Sequence, residues 1–354
     1  IDEGGALKVG PQSAGATPGP ACYMRGGVNP CVTDANILLG KLNQKKILGG
    51  RMEVDLELAK QAIQTCICDR SSLSLPEAAA GIISVVNSNM MRAIRIVSVE
   101  RGYDARDFAL MAFGGAGPLH ACEVAEELGI RKVLIPPNPG TLCSLGLLMA
   151  DTRFDLSRSR IMLAQPENIP AINAVLQEMI EEGSDLLDRE KIPAAQRSFS
   201  ASVDARYERQ NYEINIPLRE PAVTEEILGE AIRQFHAAHE KNFGYSNEAF
   251  HVQLVNFRLS AVGEVEKPAL VCKPLEPDAA LPAPQEIRQV LFVGEKDYIS
   301  TPVYHRDGFV PGLQAEGPMI IEQMDCTTVI PPHWSIFTDG YLNLHVNYKG
   351  GEEQ

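Results

Sequence analysis

The stretch Phe113–His120, F-G-G-A-G-P-L-H, lies between an apolar run, Phe108–Ala112, and a helical pattern that continues to Leu128. Gly114, Gly115 and Gly117 carry no side chain to hold a flat ligand off the backbone, and the helix that follows offers unpaired N–H groups in its first turn. With Ala116 and Pro118 between and after them, they form a candidate nucleotide cradle. A tight strand-to-helix turn that needs only positive φ angles draws on the same residues, so the motif by itself leaves both readings open.

Outward from this stretch the pattern is regular. The run 108–112 predicts a buried strand, 119–128 a helix and Lys132–Ile135 a second buried strand, an order that implies a parallel pair joined by a right-handed crossover. Upstream, Ser74 with Glu77 makes a capping box for a helix reaching toward Glu100. Its stripe of Ile82, Ile83, Val86, Met90, Met91, Ile94 and Val97 is expected to be core, with Arg92, Arg95 and Arg101 on the other faces. Another helix is predicted over Glu53–Asp69, and a short one over Asp34–Leu42 with Thr33 or Asp34 as its cap. Asp34 at that junction could instead orient a ligand or a metal-bound water.

Before it, Gly10–Gly27 is too rich in Gly and Pro for regular structure and reads as a long loop, with Ser13, Thr17, Tyr23 and Arg25 as its polar chemistry. Ser13 and Asp34 are the candidates for a substrate or phosphate side. Downstream, P-N-P-G-T-L-C-S-L-G-L-L-M-A-D after Pro136 feeds a helix whose Ser144 and Gly146 permit close packing. Cys143 at its entry has no identifiable partner base and is expected to be a buried thiol.

The chain of 354 residues is 45% hydrophobic and 22% charged, room for two or three globular domains. A net charge of −14 disfavours nucleic-acid or anionic-membrane surfaces, which need clustered Lys and Arg, and points to small-molecule or protein partners. No apolar run of roughly 18 to 20 residues and no signal-peptide pattern is visible, so a cytoplasmic protein is expected. Eight cysteines without a CxxC pair read as free thiols. The chain begins at Ile1 with I-D-E-G-G-A-L-K-V-G-P, which reads like the middle of a domain and so like part of something larger.

After a polar-alternating strand over Asp151–Met162 the composition changes. A helix over Ile169–Lys191, strands over Ser198–Tyr207 and Tyr212–Ile216, a helix over Thr224–Asn242 and a strand over Val252–Leu259 predict an α+β module, residues 158–263. From Glu264 strand-like runs dominate (289–292, 319–322, 327–330 and 341–346), predicting a small β-rich domain over 264–354. His236, His239 and Glu240 share a helix at i, i+3 and i+4, but no third ligand stands at a recognisable spacing, so no metal is assigned to them.

Three stretches resemble one family, the hydantoinase A, 5-oxoprolinase and acetone or acetophenone carboxylase group. They are V-G-P-Q-S-A-G-A-T-P-G-P-A-C-Y with T-D-A-N-I-L-L-G-K-L, then A-F-G-G-A-G-P-L-H-A, then I-P-P-N-P-G-T-L-C-S-L-G-L-L-M-A-D. Weaker echoes continue at Arg206-Tyr207, at H-E-K-N-F-G-Y from His239 and at G-P-M-I-I-E-Q-M-D-C-T-T-V-I-P-P from Gly317. Met24 departs where a glycine is common, Cys143 where serine is common, and Arg209 where R-Y-x-G-Q has glycine.

The resemblance implies an α/β chain whose residues 1–157 are the C-terminal part of an actin-like ATPase fold. By position, Gly114–Gly117 resemble its adenosine-contacting turn and Gly140–Ala150 its interlobe-hinge helix, while the phosphate loops of the family precede the point where this chain begins. His120 then reads as a packing or ribose-side residue rather than a general base. Also implied are ATP with Mg²⁺, phosphorylation of a poorly electrophilic amide or ketone oxygen, and an ATP-dependent cyclic-amide hydrolase of the hydantoinase or 5-oxoprolinase type. The alternatives are a ketone carboxylase subunit and a non-catalytic scaffold. The expected partners are a preceding N-terminal ATPase segment and a hydantoinase B-type subunit, in a hetero-oligomer inactive without them.

Overall fold

The structure is a computed structural model and describes residues 1, 2 and 4–350. The chain forms two compact units, one built from Ile1–Leu145 with Ala269–Gln354, the other from Gly146–Pro268.

The first unit opens with the Gly-Pro loop and α1 (Val32–Leu38), a small antiparallel pair β1 (Lys46–Ile47) and β2 (Met52–Glu53), and helices α2 (Leu56–Cys66) and α3 (Leu75–Val97). The capping box at Ser74 forms as expected: the Glu77 carboxylate accepts from the Ser74 N–H at 2.8 Å. Then come β3 (Leu110–Met111), α4 (Gly117–Glu127), β4 (Lys132–Ile135) and α5 (Leu142–Met149). Strands β3 and β4 are parallel, joined through α4 as the strand-helix-strand order requires.

The second unit runs β5 (Thr152–Leu163), α6 (Ile169–Arg189), β6 (Arg197–Tyr207), β7 (Ile214–Pro217), α7 (Glu225–Phe243) and β8 (Val252–Gly263), with sheet order β5-β8-β6-β7. Apolar residues of α6 and α7, among them Leu176, Met179, Ile227 and Phe235, pack on Val203, Phe257 and Leu259 of the sheet. Gly183 is required there, because a Cβ would stand 2.8 Å from that of Ala261.

The chain then returns to the first unit with β9 (Glu286–Val290), β10 (Ile299–His305), β11 (Gln314–Glu316), β12 (Met319–Glu322), β13 (Thr327–Ile330), β14 (Trp334–Thr338) and β15 (Leu344–Tyr348). Residues 264–354, expected as a β-rich domain of their own, do not stand apart. β15 lies antiparallel beside β4, Leu344 opposite Ile135 and Val346 opposite Val133, giving the five-stranded order β11-β14-β15-β4-β3. A second sheet, β13-β12-β10-β9, completes the unit. Alternating apolar side chains close one core across both sheets, with Trp334, Ile336 and Val346 against Met319, Ile321, Ile330 and the small face of α4, Ala121, Cys122 and Ala125.

Two expectations change. The α3 stripe is core only at its start: Ile82 and Ile83 are buried with α1 and α2, whereas Val86, Met90, Met91 and Ile94 are half-buried and Val97 is 58% exposed. Leu75–Arg101 is also long and apolar enough, at mean hydropathy 1.2, to cross a membrane by length and composition, against the sequence expectation; Ala78, Ala79, Ile82 and Ile83 of its first half pack in the core. Cys143 is exposed, on a helix with no buried side chain.

Within the first unit Gly40 allows one close approach between the end of α1 and β9. It ends α1 with φ at 76°, and a Cβ would lie 2.1 Å from the Gln289 carbonyl oxygen, beside the bond from the Leu291 N–H to the Leu39 carbonyl. Gly40→Ala is therefore expected to cost about 3 kcal/mol or more, read as a lowered urea midpoint with unchanged m-value.

Candidate nucleotide cleft

The glycine turn is fixed at both ends. Gly114 adopts φ at 81° and donates its N–H to the Pro139 carbonyl at 2.7 Å; Ala116 caps α4, with Gly117 and buried Pro118 in its first turn. The following loop is pinned in turn, as the Gly140 N–H donates to Asp325 Oδ2 at 2.8 Å and Gln323 Nε2 donates to Asp325 Oδ1 at 2.7 Å. A Cβ on Gly140 would come within 2.7 Å of that carboxylate.

Beside this turn lies a cleft of about 610 Å³. Gly115, Ala116, Leu119 and His120 form one side, the α1 residues Thr33 and Asn36 and the β1 region another, and Gln285, His305 and 322–327 the rest. Gly114, Gly117 and Pro118 do not line it. The three glycines thus divide their work. Gly114 is needed for its backbone angle, but at Gly115 a Cβ would meet only the Asp325 carbonyl oxygen at 3.4 Å, and at Gly117 nothing closer than 3.7 Å. The fold leaves room for a side chain at Gly115, on the wall of the cleft.

Behind His120, which lines the cleft, runs a buried polar chain. Lys41, 0% exposed, pairs with Glu123 of α4; Asn87 of α3 donates to the other Glu123 oxygen at 2.9 Å; and Asn87 Oδ1 faces His120 Nδ1 at 2.9 Å. His120 is 5% exposed, and burial pushes its imidazole down to about 4. None of these partners was legible in the sequence, since they lie 33 to 82 residues apart.

The remaining candidates fall elsewhere. Asp34 is fully buried and lines no cavity described here; its carboxylate accepts from the backbone N–H groups of Ala21, Cys22 and Cys31 at 3.2, 2.8 and 2.8 Å. The N-cap of α1 is Cys31, not Thr33 or Asp34; Asp34 stands at the third helical position, where its fully buried carboxylate closes the capping box and clasps the Gly-Pro loop onto α1, a structural role in place of the expected ligand role. Ser13 is exposed, accepts from the Gly15 N–H at 3.1 Å, and lines a neighbouring cavity of about 910 Å³ that shares Tyr23, Val32 and Thr33 with the cleft. In the second unit His239 has both ring nitrogens engaged, Nδ1 on the Tyr245 carbonyl at 2.7 Å and Nε2 on the Gln210 amide at 3.2 Å, while His236 Nδ1 meets the Tyr207 hydroxyl at 2.7 Å.

A mixed α/β protein with a cleft beside a strand-glycine turn-helix is the class these observations define. Residues 1–156 match the family model described as hydantoinase/oxoprolinase and residues 164–349 that of the hydantoinase/oxoprolinase C-terminal domain. The chain belongs to the hydantoinase/oxoprolinase family. It is 37% identical over 344 residues to the caprolactamase subunit alpha of Pseudomonas jessenii, covering 96% of this chain and 49% of that one. It is 30% identical over 353 residues to the acetophenone carboxylase gamma subunit of Aromatoleum aromaticum, covering 96% and 48%. The crystal structure of the ATP-dependent caprolactamase from Pseudomonas jessenii matches with a TM-score of 0.79 at 35% identity, over 99% of this chain and 51% of that one. The chain thus spans about half the length of the relatives it matches.

Two outcomes test the geometry. Asp34→Asn, which weakens a charged acceptor of three N–H groups, is expected to cost about 2 kcal/mol and to speed amide exchange at Ala21, Cys22 and Cys31. For His120 the unfolded imidazole, near 6.5, binds protons that the folded one does not. Its contribution to stability is therefore full above pH 6.5 and lost as pH falls toward 4. Thermal melts of wild type and His120→Gln across that window should differ in slope by on the order of 3 kcal/mol in total.

Proposed function

We propose that this chain is the adenosine-side part of the ATP-binding subunit of an ATP-dependent cyclic-amide hydrolase of the hydantoinase or 5-oxoprolinase type. The observation that carries the reading is Gly115, a glycine that the fold itself does not require, opening onto a cleft at the start of a helix. A missing side chain there is explained by a ligand against the backbone. The similarity to a protein named as an ATP-dependent caprolactamase supports ATP as the ligand and amide hydrolysis as the reaction class.

An amide carbonyl is a poor electrophile because nitrogen donates into it. A phosphoryl group transferred from ATP to its oxygen, with release of ADP, would open that carbon to attack by water and leave later as phosphate. This chain's residues would bind and orient the adenosine end, and the backbone at Gly115 and Ala116 lets a flat base approach. The Mg²⁺ that the resemblance implies is assigned no ligands here, since among the described residues no three His, Cys, Asp or Glu side chains converge. In this proposal residues 1–157 are the C-terminal part of an actin-like ATPase core whose phosphate loops lie on the remaining half of the family length.

The exposed apolar surface supports a covering polypeptide. Ile96, Val97, Val99, Tyr103, Phe108 and Phe113 are all exposed, and β3 at the sheet edge carries exposed Met111. Such a run is unusual on a free surface. We assign it to contact with the N-terminal ATPase segment, with a hydantoinase B-type subunit completing the hetero-oligomer in the cytoplasm. A ketone carboxylase subunit is the second reading, favoured by the similarity to the acetophenone carboxylase subunit.

The test is ATP turnover by the enzyme assembled with the rest of the family length and its partner subunit. Stimulation by a hydantoin, 5-oxoproline or a lactam supports the hydrolase, and stimulation only by a ketone with bicarbonate supports the carboxylase. Gly115→Val should weaken ATP binding at least about tenfold, while Gly115→Ala leaves the melting temperature within about 2 °C. Undiminished ATP binding in the valine variant would sink the assignment of the cleft.

A further inference from the structure

The polar chain behind His120 fixes its tautomer. Glu123 is a carboxylate held by the Lys41 ammonium, so the Asn87 atom facing it at 2.9 Å must be the NH₂. Turning the amide over would set its carbonyl oxygen against a carboxylate oxygen. With the NH₂ committed, Asn87 presents its carbonyl oxygen to His120 Nδ1 at 2.9 Å, and a carbonyl only accepts, so the imidazole proton sits on Nδ1. The other ring nitrogen, Nε2, then carries a lone pair and no proton. It has no protein partner among the described residues, yet it is not one of the buried unpartnered atoms, so it keeps access through the cleft that His120 lines.

A neutral acceptor three residues beyond Gly117, on the wall that Gly115 and Ala116 also form, suits a ligand that offers a hydroxyl donor. We propose that His120 Nε2 accepts a hydrogen bond from a ribose hydroxyl of the bound nucleotide, with Asn87 acting as a positioning residue through Nδ1. The proposal rests on the nucleotide reading of the cleft. It goes beyond that reading, and beyond a ribose-side position for His120, by naming the accepting atom, its tautomer and the side chains that prepare it. Burial reinforces the arrangement, since an imidazolium at this position would have no lone pair to offer.

Two measurements test it. Long-range ¹H–¹⁵N spectra of the wild-type chain at pH 7.5 should show His120 as the Nδ1–H tautomer; an Nε2–H tautomer overturns the proposal without touching the question of nucleotide binding. In the assembled enzyme, titration calorimetry with ATP, 2′-deoxy-ATP and 3′-deoxy-ATP should show one deoxy analogue bound about 5- to 10-fold more weakly than ATP, the worth of one neutral hydrogen bond. His120→Phe should bind ATP as weakly as the wild type binds that analogue and should no longer tell the two apart. Asn87→Leu, which leaves the imidazole in place without its orienting carbonyl, should narrow the difference. Wild type that binds ATP and both analogues equally refutes the role of His120 while the nucleotide reading stands. Wild type that binds none of them refutes both. The wild-type comparison decides even where a variant fails to fold.

Discussion

The buried pairing of Lys41 with Glu123 is the interaction on which the first unit turns. An ammonium with no solvent exposure costs several kcal/mol unless a carboxylate and further hydrogen bonds surround it, and removing either partner leaves the other as an uncompensated charge. The pair therefore fixes where α1 ends relative to α4, and Asn87 brings α3 to the same point. Gly40 makes this possible by turning the chain with a left-handed backbone just before Lys41, so that the side chain runs inward instead of out to water. The cleft and its imidazole stand on this arrangement.

Local structure was largely legible because it is written locally. The capping box at Ser74, the strand-turn-helix at 110–127 and the two long helices of the second unit carry their signals within a turn or two of sequence. The pairing of β15 with β4 was not legible, because alternating apolar residues state that a strand has a buried face and do not state which strand lies beside it. β10, β11 and β14 were missed for a related reason, as short strands amid Pro and Gly give weak periodicity. At the site, the glycines were found but their separate roles were not: only coordinates distinguish Gly114, demanded by its backbone angle, from Gly115, which the fold does not demand.

Two of the departures from the resembled pattern carry a backbone cost. Met24, with φ at 57°, and Arg209, with φ at 72°, both occupy the left-handed region, where a Cβ costs roughly 1 kcal/mol. A glycine at either position would carry no such cost. The replacements therefore bear on local strain and loop geometry, and they do not touch the glycine turn. The exposure of Val97 and Cys143 is a lesson of the other kind, since a stripe or a thiol read as core from sequence is core only if a covering surface is present.

The five-stranded sheet joins β3 and β4 to three strands made about two hundred residues later, with the whole second unit encoded in between. During synthesis the inserted unit emerges complete and can fold while β4 still waits for its neighbour. The glycine turn, whose loop is pinned by Asp325, is thus among the last parts to be locked. The last eighty or so residues thus supply both the outer strands of the sheet and, through His305 and residues 322–327, part of the cleft wall.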